Sequence, residues 1–253
     1  MPPGTPSYVY RQADRDIVAA LVEGEFVFVL DARQKGKSSL IVRAAESLNE
    51  AGARTARVDL QRIGSNLTPE QWYAGLLHAL GQELGLTTEL FQHWTQFSAL
   101  GPMARWFDAL EKVVLVRLAQ PVVVFVDEID FVQSLPFGVD EFFAGIRECY
   151  NRRASDDRFR SLTFCLAGVA APSQLIQNED LTPFNVGRAL RLMDFSRDEL
   201  RAHEEGLSTH GRNGAALQEA IYHWVAGHPY LTQLIGSWVA DSPEVKPVRM
   251  WTS

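Results

Sequence analysis

Residues 30–42 read LDARQKGKSSLIV, and their interpretation decides the fold. The phosphate-binding signature GxxxxGK(S/T) ends here in Gly36, Lys37 and Ser38, while Asp31 stands where the leading glycine belongs. The stretch before it, EFVFVLDA (25–32), is almost continuously apolar, as in a central strand covered on both faces. The stretch after it, SSLIVRAAESLNEAG (38–52), places Leu40, Ile41, Ala44, Ala45 and Leu48 on one helical face and stops at Gly52. Strand, turn and helix therefore frame the motif. Such a turn binds phosphate through convergent backbone N–H groups, a helix N-terminus, an ammonium and a hydroxyl for Mg²⁺. Gln34, Lys35, Gly36, Lys37, Ser38 and Ser39 are the residues expected to supply them. The leading glycine only eases the turn, so its loss is the milder one, provided that the Asp31 carboxylate faces away from the phosphates.

A second buried run, PVVVFVDEID (121–130), ends in Asp127 and Glu128. Successive side chains at a strand end point in different directions, so one acid can face a metal and its neighbour an attacking water. Asp127, with Ser38, is the expected Mg²⁺ contact, and Glu128 the residue that orients water; Asp130 is a third acid nearby. An Asp-Glu after one buried strand and a Gly-Lys-Ser after another is the order of motifs in an additional-strand P-loop ATPase.

Strand-length apolar runs alternate with amphipathic stretches as far as residue 195, the pattern of a mainly parallel sheet. RTARVDL (54–60), LTFCLAGVA (162–170) and ALRLMD (189–194) complete the expected strands. Helices are expected over 68–84, where Thr68, Pro69 and Gln71 make a capped start, over 102–119, and over 137–154; a loop carrying Trp94 and Phe97 joins the first two. After Ser196 strand signals vanish and three helical patterns follow. The expected division is an α/β core over 1–195, a helical lid over 196–242 and a disordered tail over 243–253.

The chain has 253 residues, a formal net charge of −7 and two cysteines, Cys149 and Cys165. Acidity argues against a general nucleic-acid or membrane-surface coat, and two isolated cysteines argue against a disulfide framework. No run reaches the roughly 18 apolar residues of a membrane helix, so a cytoplasmic protein is expected. The histidines have no metal-ligand spacing. The arginines 147, 152, 153, 158 and 160 form the one local basic cluster, read as solvated charge with an intersubunit arginine finger or a phosphate-contacting patch as the alternatives.

Together the blocks YVYRQADRDIVAALVEGEFVFVLDARQKGKSSLIVRAA, TPEQWYAGLL, VVVFVDEIDFV, FFAGIRECYNRRA, LTFCLAGVAAPSQLI and TPFNVGRALRL resemble the AAA-like domain of bacterial, notably cyanobacterial, multidomain proteins of the STAND type. The resemblance spans residues 7–240. It implies a sheet of order 5-1-4-3-2 with a helical lid, tolerance of a non-glycine residue at Asp31, and an ATP- or GTP-driven switch. It further implies that Lys37 and Ser38 hold Walker A positions and Asp127 and Glu128 Walker B positions. Gly227, His228 and Pro229 match the lid's GxP motif near base and sugar, Tyr8, Val9, Tyr10 and Arg11 the adenine-side segment, and Arg188 a catalytic arginine of related ATPases. The cofactors implied are ATP or ADP with Mg²⁺, and the partners an effector domain or protein, with a nucleotide-dependent oligomer. A non-hydrolysing nucleotide-bound scaffold and a DNA-associated ATPase of replication-initiator type remain the alternatives.

Overall fold

The computed structural model describes residues 8–176, 182–208, 212–242 and 244. Apart from residue 244, the expected tail over 243–253 lies outside them. Strands β1 (Val27–Leu30), β2 (Arg54–Asp59), β3 (Val122–Asp127), β4 (Leu162–Gly168) and β5 (Arg188–Ala189) form one parallel sheet in the order β2-β3-β4-β1-β5. Read from the other edge, this is the expected 5-1-4-3-2. The chain is an α/β protein with the core of a P-loop NTPase.

Because strand side chains alternate between faces, the apolar runs build two cores. Val27, Val29, Val123, Phe125, Cys165 and Ala167 pack beneath α1 (Gln12–Val22) and α2 (Lys37–Glu50). Phe26, Phe28, Val122, Val124, Val126, Phe164 and Leu166 face the other layer. That layer holds α4 (Pro69–Leu84), which follows the short α3 (Leu60–Ile63), then α5 (Thr87–Gln96), α6 (Pro102–Ala109) and α8 (Asp140–Asn151). Helix α4 starts as its sequence dictates: Thr68 Oγ1 accepts from the Gln71 amide at 3.3 Å, Gln71 Oε1 accepts from the Thr68 amide at 3.0 Å, and Pro69 fills the first turn.

Three expectations are corrected. The loop expected around Trp94 is helix α5, because Leu90, His93 and Trp94 stand at i, i+3 and i+4 and are all buried; only Phe97 lies outside it, as its C-cap. The helix expected over 102–119 is interrupted by a π-helical turn at Leu110–Val114 before α7 (Leu115–Arg117). The wider turn lets Leu110, Val113, Val114 and Leu115 all reach the core. Finally, the strand expected over 189–194 pairs as β5 only at Arg188 and Ala189, with a further amide bond at Leu190.

After the short α9 (Pro172–Leu175) and β5, three helices follow among the described residues: α10 (Arg201–Leu207), α11 (Gly214–Val225) and α12 (Pro229–Asp241). They close on their own small cluster of Leu207, Leu217, Ile221 and Val239. No described helix is long and apolar enough to cross a membrane.

Candidate functional site

The motif turn lies between the end of β1 and the start of α2. Left-handed backbone occurs at Gln34 (φ 64°) and Gly36 (φ 88°) but not at Asp31, so the leading position makes no demand that only glycine meets. The Asp31 carboxylate faces away from the turn's mouth: Oδ1 accepts from the Ala32 amide at 2.8 Å and Oδ2 from the Leu192 amide at 2.9 Å. The Lys37 ammonium is buried and donates to the carbonyl oxygens of Asp31 and Ala32, at 2.7 and 2.8 Å. Burial lowers its pKa, and Glu128, Asp31, Asp130 and Asp127 oppose that shift. The ammonium therefore shares one electrostatic neighbourhood with the acids that follow β3.

Asp127 ends the fully buried β3 and is 2% exposed. By alternation it shares the α2 face of the sheet with Val123 and Phe125. Its Oδ1 accepts from the Glu128 amide at 3.0 Å, and its Oδ2 from Arg57 of the neighbouring β2 at 2.7 Å. Glu128 adopts φ 55°, left-handed backbone that a non-glycine residue rarely takes, and this turn carries it into the mouth of the site. Burial, then the Asp127 and Asp130 charges, raise its carboxyl pKa, while Lys37 pulls it down. Asp130 is fixed in turn by the Val169 amide, which donates to its Oδ1 at 2.8 Å. A Cβ on Gly168 would stand 2.6 Å from that oxygen, so the close approach of β4's end to Asp130 requires glycine.

A cavity of about 420 Å³ separates these elements. Arg33, Gln34, Gly36, Lys37, Ser38 and Ser39 line one side, and Gln61, Glu128, Asp130, Phe131 and Val169 the other. Asp127 is not in the lining. Lys35 also faces elsewhere, with Nζ 2.6 Å from Asp194 Oδ1. A larger hollow of about 980 Å³, bordered by Tyr73, Phe137 and Glu141, contains none of the motif residues.

The segment before α1 and the lid turn meet on the far side of the motif. Val9 packs with Phe195, Leu200 and Tyr222. Arg11 is buried, donates to the Lys35 carbonyl oxygen at 2.9 Å, and lies 5.5 Å over the Phe195 ring. Gly227, His228 and Pro229 connect α11 to α12, and the Gly227 carbonyl accepts from the Phe195 amide at 2.8 Å. Tyr10 is exposed, and Arg43 lies over the rings of Tyr8 and Tyr10. The structure does not bring Arg188 to this site. It pairs with Val27, at the opposite end of β1 from the motif, and its guanidinium is 3.7 Å from Glu25.

Among the described residues no group of three His, Cys, Asp or Glu side chains could hold a metal by itself. The donors present are hard oxygens: the Ser38 hydroxyl at the start of α2 and the carboxylates of Asp127, Glu128 and Asp130. Both Asp127 oxygens already accept protein hydrogen bonds. This set suits Mg²⁺ brought in with phosphates and contacted partly through water.

Sequence reasoning missed Arg33, Gln61, Phe131 and Val169 in the lining and Arg57 at Asp127. Only Arg57 left a signal: it occupies the polar phase of the alternating RTARVD, in a strand whose Ala56 and Val58 are buried.

Residues 1–242 match the AAA-like domain. The chain belongs to the AAA-like domain family. This AAA-like domain is 38% identical over 240 residues to an uncharacterized WD repeat-containing protein of Synechocystis sp., covering 94% of the present chain and 20% of that relative. In fold it is similar to the ORC2 protein of Aeropyrum pernix, solved as ADPNP-ADP complexes, with a TM-score of 0.53 and 14% identity over 91% of this chain and 66% of the other. The Aeropyrum pernix ORC1 protein in complex with DNA gives a TM-score of 0.53 at 14% identity, covering 98% and 65%. A RuvB mutant of Thermotoga maritima gives 0.50 at 16%, covering 92% and 63%. The AAA-like domain thus spans a fifth of its WD-repeat relative and about two thirds of these solved chains.

Proposed function

We propose that this AAA-like domain binds ATP with Mg²⁺ in the 420 Å³ cavity, hydrolyses it slowly, and uses the bound state to set its helical lid, as a STAND-type signalling switch. The observation that carries this reading is that Lys37 lines one cavity with Glu128 and Asp130 at the N-terminus of α2, with Asp127 behind the lining but within electrostatic reach of the ammonium. The α2 N-terminus and the loop amides offer positive potential to the phosphates, and Lys37 exchanges its two loop carbonyls for a phosphate oxygen. Glu128, in the cavity wall, accepts a hydrogen bond from the attacking water and orients it. Ser38 and Asp127 would hold Mg²⁺, which would supply positive charge to neutralise the phosphates. Val9, Tyr10 and Arg11 take the base side together with His228 and Pro229, while Gln34, Lys35, Gly36 and Ser39 shape the loop. Arg188 is left out of the cis site by its place on β5.

The proposed division is a core over 1–195 and a lid over 196–242, acting in the cytoplasm. The name of the Synechocystis relative supports a repeat-bearing effector region as partner. Nucleotide-dependent self-association is a further expectation of the same reading.

Mass spectrometry of copurified nucleotide, followed by phosphate-release assays, tests this function. Lys37→Ala should abolish binding, whereas Glu128→Gln should retain nucleotide and lose at least 100-fold in turnover. Unchanged hydrolysis by Glu128→Gln would remove Glu128 from its role. A second reading, a scaffold that holds nucleotide without hydrolysis, is favoured by the pairing of Asp127 with Arg57; tight binding with no phosphate release would establish it. Salt-dependent retention on duplex DNA would instead favour a replication-initiator role like that suggested by the DNA complex of ORC1.

A further inference from the structure

The replacement of the leading glycine by Asp31 has a use that nucleotide binding does not require. Along β1, the amides of Arg188 and Leu190 donate to the carbonyl oxygens of Phe26 and Phe28 at 2.7 and 2.8 Å. The two-residue repeat of a parallel ladder would send the next amide, Leu192, to the carbonyl of Leu30. It goes instead to the Asp31 carboxylate, at 2.9 Å. Two residues on, Asp194 receives the Lys35 ammonium at 2.6 Å. The next residue, Phe195, donates its amide to Gly227 at the lid turn. The phosphate loop is therefore tied at residues 31 and 35 to the stretch of chain that seats the lid.

We propose that Asp31 is a positioning residue that couples occupancy of the phosphate loop to the lid. Its main-chain oxygen holds the Lys37 ammonium at 2.7 Å while its carboxylate holds the Leu192 amide. A phosphate that draws Lys37 off the Asp31 carbonyl shifts residue 31, and through it Leu192, Asp194 and the Phe195 seat on Gly227. Glycine at position 31 would tolerate the same turn, since the backbone there is not left-handed. What glycine lacks is the acceptor. The proposal rests on the triphosphate reading of the cavity and names the regulation of that site.

The test uses the full chain with labels at Glu50→Cys on α2 and Ser237→Cys on α12; the native cysteines are buried. The label distance and amide exchange are compared without nucleotide and with Mg²⁺ plus a non-hydrolysable ATP analogue, whose affinity is measured separately. The label distance should change on analogue binding in the parent protein. In Asp31→Gly and Asp31→Ala that change should be lost and the Leu192 amide should exchange roughly tenfold faster. Asp31→Asn, with one acceptor oxygen left, should be intermediate. A bond that merely stabilises the fold would lower the melting temperature of both states and leave the analogue-induced change intact. Asp194→Ala, whose side chain is exposed, should diminish the change and decides the matter if the Asp31 variants do not fold. A full change in variants that bind the analogue overturns the coupling alone, whereas a parent protein that binds no nucleotide overturns the reading of the cavity itself.

Discussion

Replacing Gly227 by alanine separates two effects that a glycine in a turn usually confounds. Gly227 has φ 79°, and a Cβ built on it would overlap the Phe195 carbonyl oxygen and lie 3.0 Å from the Phe195 carbonyl carbon. Left-handed backbone costs alanine about 1 kcal/mol. Relieving a backbone overlap costs roughly 1–3 kcal/mol, and the displaced Phe195 amide loses a hydrogen bond of about 1 kcal/mol. Gly227→Ala should therefore destabilise the seating of the lid by about 3–5 kcal/mol. Gly52→Ala is the control, because Gly52 has φ 91° and nothing within 4 Å of its added Cβ; it should cost only the backbone strain, about 1 kcal/mol. Urea titration gives the global value. Native-state amide exchange shows where it acts, with loss of protection expected at Phe195 and Thr232, whose amides donate to Gly227 and His228. Equal effects of the two substitutions would mean that Gly227 does not approach Phe195 this closely and that the lid turn is held by something else.

Arg57→Met keeps the aliphatic stem but leaves the buried Asp127 carboxylate with only the Glu128 amide, and should cost about 1.5–3 kcal/mol in the nucleotide-free protein; an unchanged urea midpoint would show that the pair contributes nothing. The raised Glu128 carboxyl pKa means that the folded state holds this proton more tightly than the unfolded one, so the stabilisation is present at low pH and lost as pH rises through the folded value, upward from 4.5. Glu128→Gln, neutral throughout, should accordingly melt higher than the parent at pH 7 by a margin that shrinks toward pH 4.5, and a margin growing on acidification would reverse the sign. Burial pushes the Cys149 thiol up to about 12 and raises that of Cys165 as well, so neither should react with a thiol reagent at pH 8 until the protein unfolds; prompt labelling of native protein would contradict their burial.

What was legible in the sequence was whatever local chemistry determines. The Thr68, Pro69 and Gln71 start of α4 and the apolar runs of β1, β3 and β4 required no knowledge of neighbours. The outward turn of the Asp31 carboxylate followed from charge alone, because an anion cannot face the phosphates its own loop would bind. What was not legible depends on which strands lie side by side. Arg57 reaches Asp127 because β2 adjoins β3 with Arg57 opposite Phe125, a register that composition does not encode. Arg188 fails for the same kind of reason. In a parallel sheet all strands run toward the same edge, so a residue that opens one strand lies level with the beginning of its neighbour. Arg188 is level with Val27, and the phosphate turn begins only after Leu30. Three residues at about 3.3 Å each place its backbone roughly 10 Å back from the start of the turn, and its side chain turns to Glu25 at the far edge. A residue able to act on the cavity from this region must instead follow β5, which is where Leu192 and Asp194 engage the loop.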